Sequence, residues 1–142
     1  MSKGFTLSEL LGVIVILSIL SLIAIIAVDS QLKSSKYSTC KVQNNTIIEG
    51  AKSLLIDYPD VLPSGSEVLD IPYAVLVNGG AVSIENGSNL KSVTVSGGYL
   101  EELINPMTDK VYDDSVAVKV TASGKGYNYE LIFQNEEDKC KK

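Results

Sequence analysis

The chain has 142 residues, with 12 Lys+Arg against 17 Asp+Glu, a net charge of −5, and neither histidine nor tryptophan. An acidic balance argues against a surface that grips phosphates, so no direct nucleic-acid binding is expected. Without histidine, imidazole catalysis and most zinc sites are excluded, and the length allows one modest domain beside any membrane segment.

Near its start the chain carries Gly4-Phe5-Thr6-Leu7-Ser8-Glu9, followed by the uncharged run Leu10 to Val28. As a helix that run is roughly 28 Å long, close to the ~30 Å hydrocarbon core of a bilayer. It is apolar on every face, as expected for a helix among lipids or sister helices. Gly12, Ser18, Ser21, Ala24 and Ala27 are small enough to allow close helix approach, and equally are ordinary membrane-helix composition. Glu9 stands at the head of this run. An acid in a membrane costs about 3 kcal/mol or more at the centre, less at the edge, and calls for a partner. One reading of Glu9 is local, because Thr6-x-x-Glu9 is a capping-box pattern. A secretory signal peptide is a poorer reading of the whole segment, since its apolar part should be shorter and end at a small-residue cleavage site. A plain signal anchor is a further alternative. Lys3 favours a cytoplasmic N-terminus, whereas Lys33, Lys36 and Lys41 follow the run on its other side, so charge alone does not orient the segment.

This hexapeptide and its apolar run resemble the type IV prepilin family, which includes pseudopilins. The resemblance implies a leader at 1–4, cleavage between Gly4 and Phe5 by a prepilin peptidase, and N-methylation of Phe5. It also implies that Glu9 pairs with the N-terminal amine of a neighbouring subunit, and that the C-terminal part lies outside the cell. Residues 5–28 would then be the membrane and filament-core helix. Ser8 stands where the family usually has an apolar residue, and Ile26 where many members have a proline.

From Asp29 the composition turns polar, with no helix breaker before Pro59. Leu32, Tyr37, Cys40, Ile47, Ala51, Leu54, Leu55 and Tyr58 recur at three- and four-residue spacing, with Asn44 interrupting the stripe. This predicts an amphipathic helix over 29–58, continuous with the membrane run for roughly 75 Å. Gly50 should cost it about 1 kcal/mol relative to alanine. The remaining head, 59–142, begins with a loop from Pro59 to Pro72. Tyr73 to Val77 reads as a strand, Asn78-Gly79-Gly80 as a turn, and Ala81 to Ile84 as a returning partner strand. Glu85 to Ser88 is a second turn. Leu90 to Ser96 is ambiguous; with Gly97-Gly98-Tyr99-Leu100 it resembles the short helix of small Gram-positive pilin-like proteins, and helix or irregular structure is expected. Glu101 to Asp114, around Asn105-Pro106-Met107-Thr108, resembles the loop of the same group.

Ser115 to Ala122 alternates, as does Tyr127 to Phe133, with Ser123-Gly124-Lys125-Gly126 between them. This is the clearest hairpin in the chain. Its apolar face needs cover, which the helical stripe before Pro59 supplies, so the expected fold class is α+β: a long N-terminal helix packed on a small antiparallel sheet, type IV pilin-like. The charged tail Glu136 to Lys142 should fray unless Cys140 holds it. Cys40 and Cys140 either bridge or remain free thiols; a bridge would close a loop of about 100 residues, worth roughly 4–5 kcal/mol in the chain-entropy view.

No catalytic constellation is legible, because the serines lack a histidine base. No phosphate-cradling loop and no cofactor site is expected either. Asp109, Asp113 and Asp114 are the one oxygen-rich cluster, and their spacing fits no calcium loop. The leading expectation is a structural subunit of a type IV pilus or pseudopilus. Its partners would be other copies and other pilins, the prepilin peptidase, an ATPase-driven assembly platform, and membrane lipid before assembly. The alternative is an anchored ectodomain that binds a ligand and never polymerises.

Overall fold

The computed structural model describes residues 4–86 and 89–142. The chain divides into two compact units, an N-terminal one up to Lys36 and a second one over Tyr37–Lys141. Helix α1, Leu7–Asp57, contributes to both. In the N-terminal unit it is a single apolar helix whose window of mean hydropathy 3.1 has no buried residue. Two serines in its apolar run are satisfied without a partner chain: Ser18 donates to the Ile14 carbonyl at 2.8 Å and Ser21 to the Leu17 carbonyl at 2.7 Å. Such back-bonding lets hydroxyls sit in an apolar helix without exposing an unmet donor.

In the second unit the later turns of α1 bury Cys40, Ile47, Gly50, Ala51, Leu54 and Leu55. Their cover is a three-stranded antiparallel sheet in the order β1-β6-β7, with β1 Val68–Pro72, β6 Val116–Ser123 and β7 Gly126–Phe133. Leu69 lies opposite Val120 and Ile71 opposite Val118, so one face of β1 and β6 presents a continuous apolar row. These residues, with Val116, are nearly inaccessible and form the core with Ile47, Ala51 and Leu54. Helix on sheet is the α+β arrangement of a type IV pilin-like fold. The β6–β7 hairpin runs from Val116↔Phe133 to Ser123↔Gly126, as the alternation predicts.

Elsewhere the structure corrects the sequence reading. Tyr73 to Val77 is not a strand but the start of helix α2, Tyr73–Asn78. Pro72 sets the extended entry, Gly79 closes the helix at φ 86°, and its N–H bonds the Val75 carbonyl. The valines suggest a strand, yet Leu76, which alternation would turn outward, is fully buried. Packing on the core outweighs the local β preference. The expected loop Pro59–Pro72 holds a 3-10 turn at Pro59–Val61 as well as β1.

The strand through Ala81–Ile84 does exist, as β2, Gly80–Asn86, but its partner is β3, Asn89–Val95. The ambiguous Leu90–Ser96 segment is therefore mainly strand, and Val82 pairs with Val93 across it. Gly87 and Ser88 of the expected turn lie outside the described residues. The Glu101–Asp114 loop contains two short paired strands, β4 Ile104–Asn105 and β5 Lys110–Val111.

Gly50 has a use that its helix propensity hides. A Cβ there would come within 3.2 Å of the Tyr99 carbonyl, so the Gly97–Leu100 segment lies directly on the helix backbone. Gly79 is more constrained. At φ 86°, a Cβ would fall 2.5 Å from the Val95 carbonyl. Left-handed backbone alone costs a non-glycine residue about 1–3 kcal/mol. Gly79→Ala is expected to destabilise the head by at least that, read as a lowered urea midpoint with an unchanged slope.

Candidate functional site: the N-terminal motif and the C-terminal clamp

The N-terminal motif is built by helix-start chemistry. The first turn of any helix leaves backbone N–H groups without partners. Here the Thr6 hydroxyl accepts from the Glu9 N–H at 3.2 Å, and the Thr6 N–H donates to Glu9 Oε2 at 2.9 Å. This reciprocal pair is a capping box. Ser8 joins it, its Oγ 3.1 Å from the Thr6 hydroxyl. Glu9 is therefore held at the head of the apolar helix, and Phe5, four residues before it in sequence, is 89% exposed. A carboxylate has about four acceptor sites, so the Thr6 contact leaves capacity for a cation. Both capping residues, Thr6 and Glu9, lie on the C-terminal side of the Gly4–Phe5 bond.

Residues 1–25 match the family model for the prokaryotic N-terminal methylation motif. The chain carries the type IV prepilin and pseudopilin signature. No curated protein and no solved structure matches it. The prepilin signature marks a pilin- or pseudopilin-like precursor of the kind that prepilin peptidase processes. The long exposed apolar helix fits a membrane-anchored precursor.

In the head of this prepilin-like chain, Cys40 and Cys140 are joined, with sulfurs 2.02 Å apart and Cα atoms 5.7 Å apart. Cys40 lies on the buried stripe of α1, so the bond fastens the C-terminal tail to the helix. Asn44, one turn further on, donates to Cys140 Sγ at 3.2 Å. Its place in the apolar stripe is thus opposite the tail. The tail is held a second time through Asp138. Asn105 Nδ2 donates to the Asp138 carbonyl at 3.0 Å, and the Ser115 hydroxyl to Asp138 Oδ2 at 3.3 Å. Within the tail Lys139 pairs with Glu136.

A tyrosine cluster adjoins the clamp. Tyr73 and Tyr112 meet with ring centroids 5.5 Å apart and planes tilted by 47°. The Tyr73 hydroxyl accepts from the Leu103 N–H at 2.7 Å, and the Tyr112 hydroxyl donates to Gln43 Oε1 at 3.2 Å. Gln43 Nε2 in turn donates to the Ile104 carbonyl at 2.9 Å. Burial pushes the Tyr112 hydroxyl up to about 12.

The acidic side chains of the loop serve local turns. Asp113 Oδ1 accepts from the Ser115 N–H at 2.9 Å. Asp109 closes the Asn105 turn at φ 56°. Among the described residues no three acidic or thiol side chains converge on a point that could hold a metal. Nothing in the sequence flags Gln43, Tyr73, Tyr112 or Asp138. Their partners lie tens of residues away, and no short motif joins them.

Proposed function

We propose that this chain is a subunit of a type IV pilus or pseudopilus. Prepilin peptidase removes residues 1–4 by cutting between Gly4 and Phe5, and the new Phe5 amine is methylated. Residues 5–28 anchor the precursor in the cytoplasmic membrane, with the head outside, and become the filament core on assembly. Residues 29–58 continue α1 as the scaffold of the head, and 59–142 supply its loops and sheets. Other copies, other pilins and an assembly platform are its partners.

The observation that carries this reading is the methylation-motif match over residues 1–25, set on an apolar helix with no buried residue in its most hydrophobic window. Such a helix can exchange lipid for sister helices at little cost, because both are apolar. Glu9 cannot make that exchange alone. An acid moved into a low-dielectric core needs a cation, and the Phe5 amine of an adjacent copy is the nearest in kind. The Cys40–Cys140 disulfide supports the outside placement of the head, since such bonds form and persist in oxidising compartments.

The test is the N-terminus of the protein in its host. Mass spectrometry is expected to find a chain starting at methylated Phe5. Gly4→Leu is expected to leave Met1 in place and to keep the protein out of the fraction sheared from cells. An intact Met1 in the parent protein would overturn the reading.

A further inference from the structure

Asn44 interrupts the apolar stripe of α1 one turn after Cys40. A leucine there would continue the stripe. The asparagine instead leaves its Oδ1 buried with no partner among the described residues, while its Nδ2 donates to Cys140 Sγ. A buried polar atom left unmet calls for a reason. A disulfide sulfur can only accept, so the bridged state uses half of this amide. Free Cys140 has a use for each half: as a thiolate it accepts from Nδ2, and as a thiol its S–H donates to Oδ1. The bond to the charged form is the stronger. The amide therefore suits a sulfur that changes state, and it favours the thiolate.

The two sulfurs are not equivalent. Cys40 is fully buried, and Cys140 alone of the pair is partly exposed. A reagent in solution reaches the pair through Cys140. The tail keeps its place beside α1 without the bond, because Asn105 and Ser115 hold Asp138, two residues before Cys140. The charged groups around Cys140 are engaged with other partners. Lys139 and Lys141 on the tail pair with Glu136, and the Asp138 carboxylate accepts from Ser115. On α1, Lys41 lies over the Tyr37 ring, and from the loop side the Tyr112 hydroxyl donates to Gln43. Asn44 is the donor aimed at the sulfur.

We propose that Cys140 is the site at which the head exchanges with disulfides from solution, and that Asn44 is its positioning residue. The reduced head reacts in two steps. The Cys140 thiolate attacks one sulfur of an external disulfide, forming a mixed disulfide on Cys140 and expelling a thiolate. Cys40 then gives up its proton and attacks Cys140 Sγ, which closes the bond between residues 40 and 140 and expels the second external thiolate. Two electrons pass from the cysteine pair to the external disulfide, and the two cysteine protons end on the two thiols it becomes. Reduction follows the same path backwards, so the adduct is carried by Cys140 in both directions. The exchange is a property of the head and holds whether or not the chain enters a fibre.

The experiment uses the full chain in detergent, reduced without denaturant and freed of reductant, with oxidised glutathione as the probe. Two single-cysteine variants separate the sulfurs. Cys140 in Cys40→Ala is expected to take up glutathione about tenfold or more faster than Cys40 does in Cys140→Ala, since reactivity follows thiolate character and access. Asn44→Leu is then added to Cys40→Ala. Leucine continues the stripe, so the head keeps its fold, and an unchanged urea slope reports this. A roughly tenfold loss of thiolate share near neutral pH is partly offset by the greater nucleophilicity of a more basic thiolate, at a Brønsted slope of about 0.4–0.5. The leucine variant is therefore expected to react about threefold more slowly than its parent at about pH 7, and about threefold faster at about pH 10.5, where both thiols are ionised. A merely structural asparagine would move the rate in one direction at every pH. Equal uptake by the two sulfurs, faster uptake by Cys40, or a rate ratio that does not invert between the two pH values would overturn the proposal.

Discussion

Cys140→Ser is expected to lower the stability of the head by about 4–5 kcal/mol. The bond closes a loop between residues 100 apart in sequence, and losing it returns that much chain freedom to the unfolded state. Domains of this size are stable by only about 5–15 kcal/mol, so the loss is a large share of the whole. A thermal midpoint lower by roughly 15–20 °C follows for a head of this length. A reductant added to the parent protein should reproduce the shift and have no further effect on the variant. The native structure should change less than the stability does. Asp138 remains bonded to Asn105 and Ser115, so the tail keeps a second attachment. A variant as stable as its parent would mean that the unfolded chain is already held compact by other contacts.

Glu9→Ala is expected to abolish assembly while leaving processing and membrane residence intact. The variant loses two things at once, the acceptor for the Thr6 N–H and the negative charge. Glu9→Gln separates them. Glutamine also completes a capping box, so it keeps the helix start and removes only the charge. The cap is worth about 1 kcal/mol at an exposed helix end. An unmatched charge in a dry core costs about 3–5 kcal/mol. The glutamine variant is therefore expected to fail in fibres almost as completely as alanine, with normal cleavage at Gly4. If glutamine assembles like the parent, the residue serves only to start the helix. Immunoblots of sheared and membrane fractions read both outcomes.

The sequence made the N-terminal motif and the β6–β7 hairpin legible for the same reason: each signal is local. Glu9 lies three residues from Thr6, and Val116, Val118 and Val120 alternate within one strand. The parts that were misread depend on distant partners. Tyr73–Val77 has strand composition, but Pro72 and Gly79 bracket it, and burial of Leu76 makes it α2. Strand β1 is hidden in a Pro- and Ser-rich stretch, and only its pairing with β6 reveals it. Leu90–Ser96 lies mostly in β3, and only its pairing with β2 decides that. Gly50 looked like a weakness in the helix until the carbonyl of Tyr99 showed what its missing side chain admits. The Gln43–Tyr112 bond spans 69 residues, and no pattern in the chain announces it.

The tail clamp also determines how the head responds to pulling. Tension entering along α1 and leaving through the C-terminus crosses from residue 40 to residue 140 by a covalent shortcut. The hundred residues between them are shielded from the load. Fully drawn out, they would add roughly 330–360 Å of slack. With the shortcut closed, a stretched chain cannot pay out that length, and what is left to extend is the part of α1 that precedes Cys40.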